Sequence, residues 1–407
     1  PRDPVALALT CSANGELSNE DKVFTLLAEL KDSEADSFED HLMVGISLSR
    51  WLPSLAIEHL QEAEKLRSKS PVVRLWLETA NAWHASTLEN PKDAFDRAQE
   101  AAGMIESLML PRGSDPLVIG RYIHAKMIAA QALKRQGEFD RANDIIADLE
   151  PYVQKLKLEP QHDETIWWAP LYALMRGIED QDFDDFESDD TGRTSVRNYV
   201  AAYLAAERLR SGDDNDVDHG IKLYDSMSGS FKMDTSGLRT ILEMSRTDAN
   251  QRKRQITVDL KERWTERKDS TTESSKYFYY IDWTAFMMLG EFEEANAVAE
   301  QLYEAARERD LFPEEIACAD FMRGSQTSAS KLLEECRDSQ IYTAYAHWVI
   351  GFDLLGKGDR LGAEKHFAAI EKTGDFEHGI YWWGRAFHAR VESDPNWLPW
   401  LENASHH

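Results

Sequence analysis

The chain predicts an all-α fold, an α-α superhelix (solenoid) of stacked helix hairpins, and three observations carry that prediction. Helix-favouring residues dominate its 407 positions, and no stretch alternates apolar and polar residues with the period of two that a sheet face requires. Three separate segments place glycine, alanine and bulky apolar residues at the same offsets, the mark of an internal repeat. Weaker copies of that pattern fill much of the remaining chain.

Taken in order, ISLSRWLPSLAIEHLQEAEKL at 46–66 keeps the second-helix spacing in Ala56, Leu60 and Ala63, with Trp51, Leu52 and Pro53 in place of a glycine turn. NAWHASTLENPKDAFDRAQEAAGMI at 81–105 offers Ala82, Ala85, Ala94, Ala98 and Ala101 as its small positions. The first clear copy is AAQALKRQGEFDRANDIIADLEP at 129–151, where Gly137 ends a helix, Phe139 anchors the turn, and Ala142, Ile146 and Leu149 form the next apolar stripe. Two acidic, turn-rich interruptions follow, at 179–192 and 211–220. Around them 195–210 reads as a helix, Gly220 to Met227 as its short partner, and 232–268 as two helices without repeat landmarks. The second clear copy, DWTAFMMLGEFEEANAVAEQL at 282–302, has Gly290, Phe292, Ala295, Ala299 and Leu302. The third, at 349–370, has Gly351, Leu354, Gly358, Ala363, Phe367 and Ile370. A partial unit from Gly379 to Val391 stops at Asp394 and Pro395 as a terminal cap. The expected organisation is an N-terminal array over 1–178, an acidic linker over 179–194 and a C-terminal array over 195–407.

The shared offsets have a local cause. Glycine at a helix end takes the left-handed conformation that stops a helix, and a small alanine five residues later lets the second helix lie close against the first. These residues resemble the tetratricopeptide repeat, well at the turn and poorly at its ends. Phe38 to Glu150, together with YWWGRAFHARVESDPNWLPW at 381–400, also resembles the helical repeat region behind the kinase domain of some bacterial serine/threonine protein kinases. These residues contain no glycine-rich loop, HRD or DFG, so the resemblance implies a regulatory or docking role and no catalysis.

The tetratricopeptide resemblance further implies that the first helix of each pair lines a concave groove able to hold an extended peptide or a helix. Its groove positions fall on His124, Met127, Gln131 and Lys134 in the first clear copy, on Tyr277, Tyr280, Thr284 and Met287 in the second, and on Trp348, Phe352 and Leu355 in the third. The Lys/Asn set with which one subclass clamps a terminal carboxylate is absent. The aromatic C-terminal lining suits an amphipathic helix or hydrophobic peptide. The competing reading is that further helices of the same chain cover these residues.

Composition narrows the partners. A hydrophobic share of 42 % with twelve Trp implies a folded chain. A formal charge of -27, from 73 acidic against 46 basic residues, repels phosphate backbones and anionic lipids. Nucleic acid and membranes are therefore disfavoured. A basic or amphipathic protein segment is favoured, with solubility as the plainer explanation of the acidity. Cys11, Cys318 and Cys336 are odd in number and widely spaced, which points to a reducing, cytoplasmic setting. No run reaches the ~18 apolar residues of a membrane span, and no signal-peptide pattern opens the chain. A start at Pro1 suggests an excised or processed piece, and His406 and His407 are native or the stub of a tag.

Candidate chemistry is weak throughout. Asp214 to Gly220 resembles the opening of a calcium loop, but His219 stands where the sharp turn needs glycine, so a solvated inter-helix loop is the better reading. Ser328 and Lys331 spell SxxK and Lys372 to Gly374 spell KTG; Lys372 ends a predicted helix that Gly374 caps, and the third mark of a penicillin-binding enzyme is missing. The histidines form no zinc motif, and no cofactor is expected. Cys318 and Cys336 fall on apolar helix sides, and the tryptophan pairs at 167–168 and 382–383 read as core. The expectation is an interaction scaffold that is not an enzyme; the alternative is a small-molecule or short-peptide sensor.

Overall fold

A computed structural model of the chain describes residues 3–16, 35, 37–50, 52–88, 90–109, 115–158, 168, 171–172, 175, 194–226, 236–268, 277–308, 313–325, 327–337, 340–374, 376 and 378–401. Among these residues every regular element is an α-helix and none is a strand. Their contacts group into two units, Pro1–Glu187 and Ser188–His407. The division lies inside the acidic stretch expected at 179–194, whose positions up to 193 fall outside the described residues.

The first unit runs α1 (Pro4–Glu16), α2 (Phe38–Leu48), α3 (Pro53–Leu66), α4 (Pro71–Ser86), α5 (Pro91–Met109), α6 (Pro116–Arg135), α7 (Phe139–Ala147) and α8 (Glu150–Lys157). Proline opens α3, α4, α5 and α6, where its missing N–H would have had no partner within the helix. Ser37 caps α2 by accepting from the Asp40 amide at 3.0 Å, and the Asp40 carboxylate accepts from Ser37 N in return. Consecutive helices from α1 to α7 pack on one another, and α2 also meets α4, α4 meets α6, and α6 meets α8. Small residues permit the approach. A Cβ on Gly45 would stand 2.4 Å from Leu60 Cγ, and Ala56, Ala63, Ala98, Ala101 and Ala142 are fully buried, as their spacing predicts.

The second unit runs α9 (Thr194–Leu209), α10 (Asp214–Ser226), α11 (Ser236–Met244), α12 (Ala249–Lys268), α13 (Tyr277–Leu289), α14 (Phe292–Glu308), α15 (Pro313–Met322), α16 (Ala329–Cys336), α17 (Gln340–Gly356), α18 (Arg360–Thr373) and α19 (Gly379–Ser393). Helix α13 lies against α11, α14 and α17, and α17 lies against α13, α15, α16, α18 and α19. The unit then closes, because its first helix α9 packs along its last, α19. Arg385 joins them, placed 3.8 Å from Glu207 of α9 and 3.9 Å from Glu371 of α18. Beyond α19 the chain folds back: Arg360 donates to the carbonyls of Leu398 at 3.1 Å and Leu401 at 2.9 Å, and Trp400 Nε1 donates to Met288 O at 2.8 Å.

The three repeat glycines do the same thing in both units. Gly137, Gly290 and Gly358 have φ of +78°, +76° and +82°. After each, the next amide reaches back five residues: Glu138 N to Leu133 O at 2.9 Å, Glu291 N to Phe286 O at 3.0 Å, and Asp359 N to Leu354 O at 2.9 Å. This is the doubly bonded left-handed helix stop. Gly324, φ +74°, makes a fourth such turn between α15 and α16, with Ser325 N bonded to Asp320 O at 3.3 Å. One detail of the template is corrected: Phe139 and Phe292, expected to anchor their turns, are 57 % and 49 % exposed.

Candidate functional site

In the first unit, residues seven apart lie on one side of a helix, and α2, α4 and α6 turn such a side the same way. It carries Met43 and Arg50 on α2, Trp76 and Trp83 on α4, and His124 and Gln131 on α6. The Arg50 guanidinium carbon lies 5.6 Å from the Trp83 ring centre, and that of Arg121 lies 5.0 Å from the Trp76 ring centre. The His124 imidazole is stacked between two indoles, with centroids 4.2 Å from Trp83 and 4.4 Å from Trp168. Met43 and Arg50 are exposed, and Trp76 and Arg121 are half-buried. Arginine over indole next to imidazole between indoles makes this side of the unit aromatic and cationic.

That face already has an occupant. Trp168, Leu171, Tyr172 and Met175 have helical backbone and are all buried. They stand at i, i+3, i+4 and i+7, the spacing of one apolar helix stripe. Trp168 stacks on His124, and the Tyr172 hydroxyl donates to the Glu150 carboxylate at the start of α8. This corrects the first groove set: His124, Met127 and Gln131 are buried instead of lining an open groove, and Lys134 is half-buried. Trp168 covers His124. Gln131 is 3 % exposed and neither of its amide atoms has a hydrogen-bond partner.

The second and third groove sets are corrected more sharply. Tyr280, Thr284, Met287, Trp348, Phe352 and Leu355 are all buried in the core of the second unit. Trp348 Nε1 donates to Thr284 Oγ1 at 2.8 Å, and Phe352 packs 4.8 Å from Phe367 and 4.7 Å from Phe387. Tyr280 lies 4.6 Å from Tyr345, and burial pushes its phenol far above the usual range. The side chain of Tyr277 falls outside the described residues. The physical reason is that α13 and α17 have neighbours on every side. YFYYIDWTAFMML is apolar apart from Asp282 and Thr284, themselves fully buried, which is the signature of a buried helix and not of a groove wall.

Elsewhere the motifs resolve as local structure. Asp214 begins α10 and accepts from Thr247 N and Oγ1 at 2.8 and 2.6 Å, so the supposed calcium loop is a helix start. Ser328 caps α16 by accepting from Lys331 N at 3.2 Å, and Gly374 ends α18 in the left-handed conformation. Trp382 and Trp383 are core. The thiols of Cys318 and Cys336 are neighbours on α15 and α16; hydrogen bonding between them and burial hold the Cys318 thiol well above its usual range. Among the described residues no group of three or more His, Cys, Asp or Glu is arranged to hold a metal, and no helix is long and apolar enough to cross a membrane.

One recurrence escaped the sequence reading. His41 and His59 meet through Nδ1 at 3.1 Å across α2 and α3, and His347 and His366 meet the same way at 3.0 Å across α17 and α18. In each hairpin the first His stands one turn before the tight glycine, Gly45 or Gly351, and the second stands just before the residue filling that notch, Leu60 or Phe367. The signal was present as H-x-x-x-G followed by His before a large apolar residue. No family model matches the chain, and no curated protein matches it.

Proposed function

We propose that this chain is an interaction scaffold of tetratricopeptide-like hairpins that binds an amphipathic helix of another protein on the α2/α4/α6 face. The observation that carries the reading is His124 held between Trp83 of the face and Trp168 of a helical stripe, so the face accepts an aromatic-bearing helix. Arg50 and Arg121 are cations on a chain of net charge -27, and they favour a partner whose stripe is flanked by carboxylates. This keeps the amphipathic segment expected from composition and departs from the basic one. A docking role within a larger signalling protein agrees with the kinase-associated resemblance, and the paired thiols of Cys318 and Cys336 suit a reducing compartment such as the cytoplasm.

The test is selection of a displayed helical peptide library on the full chain, followed by affinity measurement with the double substitution Trp76→Ala and Arg121→Ala. Both side chains are half-buried, so their removal spares the hairpin core. Selected peptides should carry apolar residues at i, i+3, i+4 and i+7 beside acidic ones, and should lose about tenfold or more in affinity, the effect of truncating one hot-spot pair. A selection that yields no binder, or binders indifferent to the double substitution, contradicts the reading.

A further inference from the structure

We infer that the paired histidines of the α2/α3 hairpin, His41 and His59, form a site for a divalent transition metal of the class that prefers imidazole, copper, nickel or zinc, and that the bound ion ties the two helices together. The inference goes beyond the scaffold reading and does not depend on it. The two Nδ1 atoms stand 3.1 Å apart on separate helices, and the ring centres are 5.2 Å apart. Two nitrogens each ~2.0–2.1 Å from one metal stand ~2.9 Å apart at a right angle and ~3.3 Å apart at the tetrahedral angle, so the pair already spans the bite of a single ion. In the neutral pair one Nδ1 carries the proton shared between the rings. When the metal binds, that proton moves through water to Nε2 of the same ring, and both Nδ1 lone pairs turn to the ion. Both rings are half-buried, so water and an ion reach them.

The surroundings separate this pair from its counterpart. Burial and His41 hold the His59 imidazole below its usual range, while the carboxylates of Glu58 and Glu62 act on it in the opposite direction. A neutral ring keeps its lone pair for a metal, and the same carboxylates attract a cation. Lys65, 2.5 Å from Glu62, offsets part of that attraction. The His347 and His366 Nδ1 atoms, 3.0 Å apart, offer the same bite, but the charged groups acting on His347 are His366 and Lys372, neither of which attracts a cation. The α2/α3 pair is therefore the metal site and the α17/α18 pair its internal control. Two protein ligands, with water in the remaining positions, make an exchangeable site, unlike four-ligand structural zinc centres. A metal held only by the folded hairpin also stabilises it by mass action.

The probe is Cu2+, which divalent sites of this kind bind most tightly, so a pair that fails to take it takes none of the class. Calorimetric titration of the full chain, with glycine as a competing ligand, should reveal a site that loses at least tenfold in affinity in His59→Ala and is unchanged in His366→Ala. No binding, equal loss in both variants, or loss in neither overturns the inference. Should His59→Ala fail to fold, proton spectra of the unaltered chain decide: sub-stoichiometric Cu2+ should broaden the ring signals of His41 and His59 first. Broadening that begins at other histidines, such as the adjacent His406 and His407, overturns the inference as well and marks the metal as an adventitious ion only.

Discussion

Thr284 shows how much one buried hydroxyl decides in the second unit. It is fully buried and accepts from Trp348 Nε1 at 2.8 Å. Thr284→Val keeps the shape and orphans the indole N–H, so it should destabilise the chain by ~1–3 kcal/mol in urea titration. If the indole were instead free to reach water, the loss would be near zero. His347 adds a pH dependence. Burial first, then His366 and Lys372, hold its imidazole down to about 4, and burial also lowers His366. A histidine that resists charging in the fold leaves the unfolded chain to take up more protons below its ordinary pKa near 6.5. Stability should therefore fall as pH drops from about 6.5 to about 4 and level off below. In His347→Gln this fall should shrink by ~2 kcal/mol when denaturation midpoints at pH 7 and pH 4.5 are compared. An identical pH slope in the variant would show that the pair titrates normally.

Among the elements, the turns were the most legible part and the histidine pairs the least. Gly137, Gly290 and Gly358 announce themselves because only glycine occupies a positive φ without strain, and the alanine five residues on must be small for the hairpin to close. Gly358→Ala forces a Cβ into that conformation and should cost ~1–2 kcal/mol. Calorimetry should show a matching drop in Tm, and an unchanged Tm would mean the turn is not left-handed. Gly324 makes the same turn and went unnoticed although Ala329, Leu333 and Cys336 follow it at the repeat offsets; the polar run Ser325 to Ser328 after it reads as a plain loop. The start of α10 was misread for a related reason: acidic residues that look like a loop are also those that settle at a helix N-terminus.

The whole molecule separates what periodicity encodes from what it cannot. Helix identity and hairpin pairing follow from spacing within about 40 residues, the range over which a repeat is defined. The closure of α9 on α19 joins distant parts of the chain, and nothing local in either helix specifies it. Tyr280, Trp348 and Phe352 became core where an open groove was expected because α13 and α17 pack on each other and α17 also meets α15, α16, α18 and α19. Arg385→Ala removes the cation between Glu207 and Glu371, so amide exchange in α9 should rise about tenfold while α4 and α6 are unaffected. Uniform exchange changes would argue against the closure. In the first unit the aromatic side of α2, α4 and α6 was legible only in part: His124 and Gln131 were identified, but Arg50, Trp76 and Trp83 were not, because their repeats lack the glycine turn that sets the register, and Arg121 was not, because it precedes the repeat positions matched on α6. The most direct measurement on the occupied face is a nuclear Overhauser spectrum of the full chain with labelled His and Trp. Cross-peaks from the His124 imidazole to both the Trp83 and the Trp168 indoles are predicted by their stacking; a His124 ring with a Trp83 cross-peak and none to Trp168 would mean that the stripe does not lie on the face.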